Sequence, residues 1–478
     1  MFALLLALAP ALLSASPAPV PAQAGPTREA VAALPARPTL RPLSEVVEQL
    51  VRAGLSSNLA LQSATLEIER SAAALEAARG QFFPEIALAA RYTRAEGGRE
   101  ISLPLAAAFN PVYLTLNELL VAGGKPARFG TIEDPRFALQ REREQDSRLT
   151  LRQALYVPAI PAAVRAQRAL LEANEFARLA LAHRLRRDIT QAYIDWLRAD
   201  RGVLLVEASL ALLAENVRIS ASLFRNGKVT EDQVLRAQAE QLAVEQQLIE
   251  TRNGREQLRS YLNFLLNRPL DTALEGADLE GEVRGTAADL VTLRAAALAQ
   301  RPEIGQIDRA KQAAAARTAI ATAARRPTLA LGLDAGTQGE TYEFGSGRNF
   351  ATLSVLLNWT LFDGGRRRAE QHEARIAERQ TSLQREQIGQ QIQLEVQQAL
   401  DGLQGAAASM KTAEARAAAA RAGFRIAGRK RDEGVISQVE FLDSRTALTA
   451  AELNLIAVRS AVLARQAELD YATGASLP

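Results

Sequence analysis

The stretch ATLSVLLNWTLFDGGRRRAEQHE (residues 351–373) joins two different sequence patterns. Its first part alternates apolar and polar residues, with Leu353, Val355 and Leu357 on one side, as in a strand with one apolar face. After Gly364 and Gly365 the chain is rich in Ala, Gln, Glu and Arg, which is typical of a long helix. The stretch therefore predicts a direct passage from a β-strand into a long α-helix.

The same order of patterns occurs twice in the chain. NLALQSATLEIERSAAALEAARGQFFPEIAL (58–88) aligns with RPEIGQIDRAKQAAAARTAIATAARRPTLAL (301–331), and NGKVTEDQVLRAQ (226–238) aligns with EGVISQVEFLDSR (433–445). Each copy reads helix, strand, loop, strand, long helix, turn, long helix, which predicts a twofold internal repeat. The first copy is longer by about 37 residues within 99–143, and we interpret this insertion as an enlarged loop.

These patterns divide the chain into segments. We predict a signal peptide over 1–24, a Pro-rich linker over 25–42, a first repeat over 43–266, a connector over 267–289, a second repeat over 290–474 and a tail over 475–478. Strands are expected at about 82–96, 145–157, 327–340 and 350–362, and long helices at about 158–226, 230–265, 364–431 and 437–472.

The N-terminal stretch MFALLLALAPALLSASPAPVPAQA resembles a signal peptide, although no basic residue precedes its apolar core. No later segment has about 18 consecutive apolar residues, so no membrane-spanning helix is expected. An exported chain without a membrane-spanning helix would be located in the periplasm, in the outer membrane or in the medium.

Composition excludes several classes of function. The chain has no cysteine, which excludes disulfides, thiolate metal sites and attachment of lipid through an N-terminal cysteine. Its 57 basic and 54 acidic residues interleave, which argues against a nucleic-acid surface. His183 and His372 lie in helical stretches without a second ligand at metal spacing, so no metal or cofactor is expected. No nucleophile–histidine–acid set occurs either, and the chain is not expected to be an enzyme.

The number of strands bears on their location. Strands of about ten residues with one apolar face suit a membrane barrel, although a half-buried soluble sheet shows the same alternation. One chain supplies four strands, too few to close a barrel, and an open edge in lipid leaves backbone groups unpaired. Three chains would supply twelve. The predicted fold class is mainly α with four β-strands per chain: a trimeric 12-stranded outer membrane β-barrel that continues into a long α-helical coiled-coil barrel.

Two repeated turns separate the long helices. Each contains a glycine suited to the left-handed position that ends a helix, and each then reaches an N-cap. Thr230 with Gln233, and Ser437 with Glu440, have the spacing of a capping box. Glu440 and Asp443 lie three residues apart on the last helix. They are either an N-cap and a solvated carboxylate, or part of a ring of six carboxylates at the axis of a trimer.

The segments LFDGGRRRAE and ARGQFFPEIAL, together with the paired Gly-x-[Val/Ile]-[Thr/Ser] turns, resemble the TolC-like outer membrane efflux protein family over about 43–474. The resemblance implies a homotrimer in the outer membrane with its helical body in the periplasm. It also implies a passive exit duct for small molecules or polypeptides, which works with a periplasmic adaptor protein and an inner membrane transporter. The alternative is a periplasmic coiled-coil scaffold or adaptor without a membrane barrel.

The resemblance also assigns sites. It implies that Glu440 and Asp443 form the channel constriction, and that the adaptor docks at the helix tips: Gly227, Lys228, Val229, Thr230, Gly434, Val435, Ile436 and Ser437. At the junction of barrel and helix, Asp363 is the expected N-cap, and Arg366–Arg368 are expected near lipid headgroups. The residues assigned to this junction are Asp363, Gly364, Gly365 and Arg366.

Overall fold

The computed structural model describes residues 40–139, 141–279 and 289–475. The predicted signal peptide, most of the Pro-rich linker and residues 280–288 of the connector lie outside these ranges. In chain order the elements are β1 (Arg41–Pro42), α1 (Leu43–Ser57), α2 (Leu59–Gly80), β2 (Glu85–Arg94), β3 (Glu100–Ser102), α3 (Leu105–Ala122), β4 (Arg136–Ala138), β5 (Arg143–Tyr156), α4 (Ala159–Arg225), α5 (Glu231–Leu265), β6 (Ala277–Asp278), α6 (Leu290–Gln300), α7 (Pro302–Ala323), β7 (Thr328–Gly339), β8 (Asn349–Asn358), α8 (Arg366–Asp432) and α9 (Gln438–Thr473).

Four strands form one antiparallel sheet in the order β2-β5-β7-β8. Its register aligns apolar side chains in rows across the strands. One row joins Ile86, Leu151, Leu333 and Leu353, and the neighbouring rows hold Leu88, Leu149, Ala335, Ala351, Leu331 and Val355. Several of these side chains are well exposed, Leu353 to 70%. One face of the sheet is therefore apolar and is not covered by the described part of the chain.

The opposite face of the sheet is polar. The Arg152 guanidinium donates to the Asp334 carboxylate of the next strand at 3.2 Å, and Asp146 accepts from Arg148 at 2.9 Å. β2 and β8 are the two edges, and each pairs with one neighbour only among the described strands. The sheet has two unlike faces and two open edges.

The helical body consists of two antiparallel hairpins, α4 with α5 and α8 with α9. α4 and α8 have 67 residues each, which corresponds to about 100 Å at 1.5 Å per residue. In the sequence, apolar residues recur along both helices at spacings of three and four, which predicts a buried stripe in each. The prediction is confirmed, since every member is buried: Leu185, Ile189, Ala192, Trp196, Ile392, Val396, Ala399 and Leu403. The two stripes form separate cores, the first against α1 and the end of α5, the second against α6 and α9.

One expectation from the sequence is wrong. The insertion over 99–143 is not a plain loop, because it contains the 18-residue helix α3 and the paired strands β3 and β4. By length and composition alone, α3 and α9 are apolar enough to cross a membrane. The expectation that no helix spans a membrane stays a prediction.

The end of the predicted linker pairs with the connector in a small sheet. β1 pairs in parallel with β6, so Arg41 lies opposite Ala277 and Pro42 opposite Asp278. The Arg41 guanidinium also donates to Glu45 and Glu275. These contacts fix the last residues of the predicted linker against the middle of the chain.

Candidate functional site

The two hairpins end in turns of the same backbone geometry. Gly227 has φ +69° and Gly434 has φ +73°, the left-handed conformation that the sequence predicts. The N–H of Lys228 donates to the carbonyl of Leu223 at 2.9 Å, and the N–H of Val435 reaches the equivalent carbonyl of Lys430 at 2.8 Å. These are Schellman motifs, which satisfy carbonyls at the helix ends.

The N-termini of the two helices that follow these turns are capped differently. The Ser437 hydroxyl accepts from the Glu440 N–H at 3.3 Å, and the Glu440 carboxylate accepts from the Ser437 N–H at 2.9 Å, so the predicted capping box is present. In the first copy the predicted capping box is wrong, because Thr230 makes no side-chain cap bond. Its hydroxyl donates to the carboxylate of Asp232 instead.

Both tips lie at the same end of the body, because Gln438 at the start of α9 is hydrogen-bonded to Asn216 near the end of α4. The residues assigned to adaptor docking are largely accessible there. Val229 and Ile436 are half-buried, and the exposed members are Gly227, Lys228, Thr230, Gly434, Val435 and Ser437.

The two carboxylates assigned to the constriction have different surroundings. Glu440 is exposed, but its carboxylate is held by the capping box. Asp443 is exposed one turn further on and has no ion pair among the described contacts. Within one chain the two groups share a helix, and a ring requires other copies. The constriction stays a prediction.

A polar seam that the sequence did not predict joins the two hairpins near the tips. The Gln438 amide donates to the Asn216 side-chain oxygen at 2.8 Å, and seven residues further along α9 the Arg445 guanidinium donates to the Ser209 hydroxyl. Arg445 is 5% exposed, and this burial lowers its pKa despite the opposing charges of Glu240 and Glu452. The seam therefore contains the buried charge of Arg445, and its desolvation costs free energy.

An aromatic cluster stabilises the second tip. Phe441 is 7% exposed and lies 5.5 Å from the ring of Phe424, and the Arg431 guanidinium stacks 4.0 Å above its centre. Cation–π contacts of this kind contribute on the order of 1 kcal/mol. Arg431 thus links the end of α8 to the start of α9.

The strand-to-helix junction is built around one carboxylate. Asp363 accepts from the N–H groups of Gly365 and Arg367, each at 3.2 Å, and from the Arg367 Nε at 2.6 Å. The N-cap is Gly365, with φ +91°, and not Asp363 as predicted. Gly364 also has positive φ, and two successive left-handed residues place the carboxylate one step outside the helix. The hydrogen bond from Arg367 is the main reason that the pKa of Asp363 is lowered.

Arg367 explains part of the basic run. Its side chain is 11% exposed and donates to the carbonyls of Ala324, at 3.2 Å, and of Thr360. It joins the end of β8 to the turn before β7. Arg366 pairs with Glu370 on its own helix at 2.9 Å. Arg366 and Arg367 therefore both have partners within the chain, and the placement of Arg366–Arg368 near lipid headgroups stays a prediction.

A buried charged node joins four helices in the middle of the body. The Arg301 side chain is 4% exposed, donates twice to Glu303 at 2.7 and 2.9 Å, and reaches Glu395 at 2.9 Å. The Tyr471 ring is stacked between Arg301 and Arg187, at 4.5 and 4.4 Å. Burial alone would raise the pKa of Glu303, but the bonds from Arg301 outweigh it and the pKa is lowered.

The family model of the outer membrane efflux protein family matches residues 293–475, so the resemblance inferred from the sequence is confirmed. Solved structures of outer membrane channels share the fold. The CmeC channel of Campylobacter jejuni has a TM-score of 0.75 at 16% identity, over 93% of this chain and 90% of its own.

Two further channels give similar values. VceC of Vibrio cholerae has a TM-score of 0.72 at 19% identity, over 90% of this chain and 96% of its own. The open state of MtrE from Neisseria gonorrhoeae has a TM-score of 0.72 at 19% identity, over 90% and 89%. No curated protein sequence matches the chain significantly. The fold is thus that of outer membrane channels, residues 293–475 match the outer membrane efflux protein family, and these solved channels are not enzymes.

Proposed function

We propose that three copies of this chain form an outer membrane channel: a closed 12-stranded barrel in the membrane and a helical tunnel in the periplasm. The observation that carries the proposal is the four-stranded sheet. Its apolar face is exposed, its other face carries ion pairs, and both edges are open. Apolar outside and polar inside is the arrangement of outer membrane barrels, and closure leaves no edge in lipid.

The length of the strands and helices agrees with this location. The strands have 10 to 14 residues, and a tilted membrane strand needs about 9–11. Residues 43–266 and 290–474 each supply two strands and one long hairpin in the proposed twofold repeat. The hairpins would continue the barrel below the membrane as a duct about 100 Å long.

The duct is proposed to be passive. Resemblance to the efflux family suggests that a periplasmic adaptor docks on the exposed tips and that an inner membrane transporter supplies the energy. Lys228→Glu and Val435→Glu should abolish crosslinking to the adaptor and leave bilayer conductance unchanged, because both residues are exposed at the tip. Loss of conductance in these variants would contradict docking as their role.

Extraction and conductance test the channel together. A barrel protein stays in the outer membrane fraction after washing with salt and urea, and the detergent-purified protein should produce stepwise conductance in planar bilayers. Release by salt and the absence of conductance steps would favour the alternative, a periplasmic scaffold.

The constriction has its own test. Three copies of Glu440 and Asp443 at one axis would attract cations. Glu440→Gln with Asp443→Asn should weaken cation selectivity and block by multivalent cations, whereas Glu433→Gln, an exposed acid in the neighbouring turn, should not. Unchanged selectivity in the double variant would refute the ring.

A further inference from the structure

The segment between β2 and β5 forms a distinct unit, which we call the outer hairpin (residues 95–142, except 140). β2 begins beside α2 and runs away from the helical body, so the outer hairpin lies at the far end of the sheet. The β2–β5 ribbon continues into it through bonds from Ala95 N–H to Glu142 and from Leu139 N–H to Arg99, at 2.9 and 3.0 Å. If the sheet spans the outer membrane, as proposed above, this unit is outside the cell.

Side-chain amides hold α3 firmly within the outer hairpin. The Asn117 amide oxygen accepts from the N–H groups of Arg128 and Phe129 at 3.0 Å, and its nitrogen donates back to the Phe129 carbonyl at 2.7 Å. Asn110 exchanges the same pair of bonds with Ile132, at 2.8 and 3.0 Å. The Tyr113 ring lies 5.0 Å from that of Phe129. One face of α3 is therefore bound to the returning chain.

Another face of α3 carries an apolar stripe on which no other described helix or strand packs extensively. The members follow one another at spacings of four, three, four and three residues, and they are exposed by 36% to 64%: Leu105, Phe109, Val112, Leu116 and Leu119. At 100° per residue the stripe points well away from Asn110 and Asn117. α3 has no buried residue, and no other described helix or strand packs extensively on it.

The spacing identifies the type of partner. An alternation of three and four keeps a stripe against another helix, as at the a and d positions of a coiled coil. A helix that lies on a lipid surface carries Lys and Arg on its polar face, whereas the one charged residue of α3 is Glu118. The stripe therefore fits a helix rather than a membrane surface.

We propose that α3 of three copies associate through this stripe into a parallel three-helix bundle over the outer mouth of the barrel. The inference rests on the proposed trimer, whose edge strand β2 leads directly into the outer hairpin. Twelve strands about 4.8 Å apart and tilted by about 40° give a barrel radius of roughly 12 Å. Helices about 9 Å apart lie roughly 5 Å from a threefold axis, so α3 must lean inward by less than one helix diameter.

Disulfide crosslinking tests the bundle directly, because the chain has no cysteine of its own. Leu119→Cys places a thiol on the stripe, and Leu114→Cys places one off the stripe with nearly the same exposure, 60% against 64%. In isolated outer membranes under mild oxidation, Leu119→Cys should form a disulfide-linked dimer at least tenfold more completely than Leu114→Cys. Leu116→Cys is a second stripe position and should behave like Leu119→Cys.

The mass of the detergent-purified variants separates the two proposals. A trimer with crosslinks confined to the stripe supports the bundle. A trimer whose stripe cysteines do not crosslink, or crosslink no more than Leu114→Cys, overturns the bundle and leaves the channel intact. Quenching of a fluorophore at Leu119→Cys by brominated lipid would place the stripe in the membrane and also overturn it. A monomeric mass would contradict the proposed trimeric channel itself.

Discussion

Replacing Arg301 by methionine should destabilise the protein more than any removal of a surface charge. The substitution keeps most of the side-chain volume but leaves Glu303, whose side chain is 18% exposed, without its bidentate partner. Breaking a buried ion pair from one side costs about 3–5 kcal/mol, because the remaining carboxylate stays desolvated. The stacking of Arg301 on Tyr471 is lost as well.

The expected shift in melting temperature follows from the size of the protein. The described part of the chain has 426 residues, and an unfolding entropy of about 2.1 cal/mol/K per residue gives roughly 0.9 kcal/mol/K. A loss of about 3 kcal/mol should then lower the Tm by about 3 °C. Far-UV circular dichroism of the detergent-solubilised protein during heating measures this shift in Tm.

Two further variants make the result specific. Arg309 lies on α7, the helix that begins directly after Arg301. Arg309→Met breaks an ion pair with Glu172 in which the two side chains are 38% and 33% exposed, so its cost should stay below about 1 kcal/mol. Arg301→Met combined with Glu303→Gln removes the stranded charge and should recover at least half of the loss. Equal shifts for Arg301→Met and Arg309→Met, or no recovery in the double variant, would show that the stranded charge of Glu303 is not the source of the loss.

Three other outcomes follow from the same geometry. The lowered pKa of Glu303 means that its stabilising contribution is complete above its ordinary value of 4.5 and is lost as the pH falls through the folded value, so Glu303→Gln should flatten the acid limb of the stability profile. Arg445→Leu should leave the Tm unchanged or raise it, because this buried guanidinium has a hydroxyl rather than a carboxylate as partner; a fall as large as that of Arg301→Met would contradict this. Gly434→Ala should destabilise the protein by about 1–2 kcal/mol, because Gly434 has a positive φ. Gly428→Ala should stabilise it by up to about 1 kcal/mol, because Gly428 lies inside α8. Thermal melts of both variants measure these changes, and a stability loss of equal size in both would contradict the assignment.

Local patterns predicted much of the fold. The alternation of Leu353, Val355 and Leu357 corresponds to a strand, and the apolar stripes of α4 and α8 are buried at every predicted position. The glycines of the two tip turns have the left-handed φ that their position required. These features depend on periodicity and on backbone sterics, which a single sequence records.

Contacts between residues far apart in the sequence could not be predicted from local patterns. Ser209 and Arg445 are 236 residues apart, and nothing local marks either as half of a pair. Thr230 has the spacing of a capping box but makes no cap bond, and its hydroxyl donates to Asp232. α3 was missed because it is apolar on most sides, so it lacks the contrast between faces that identifies a helix.

The most direct test of the trimeric channel is the subunit count of the detergent-purified protein by native mass spectrometry. We expect a single species with three times the mass of the mature chain, since three four-stranded sheets close a barrel of twelve strands. A monomer, or an assembly of two chains, would contradict it, because four or eight strands would not form the predicted 12-stranded channel.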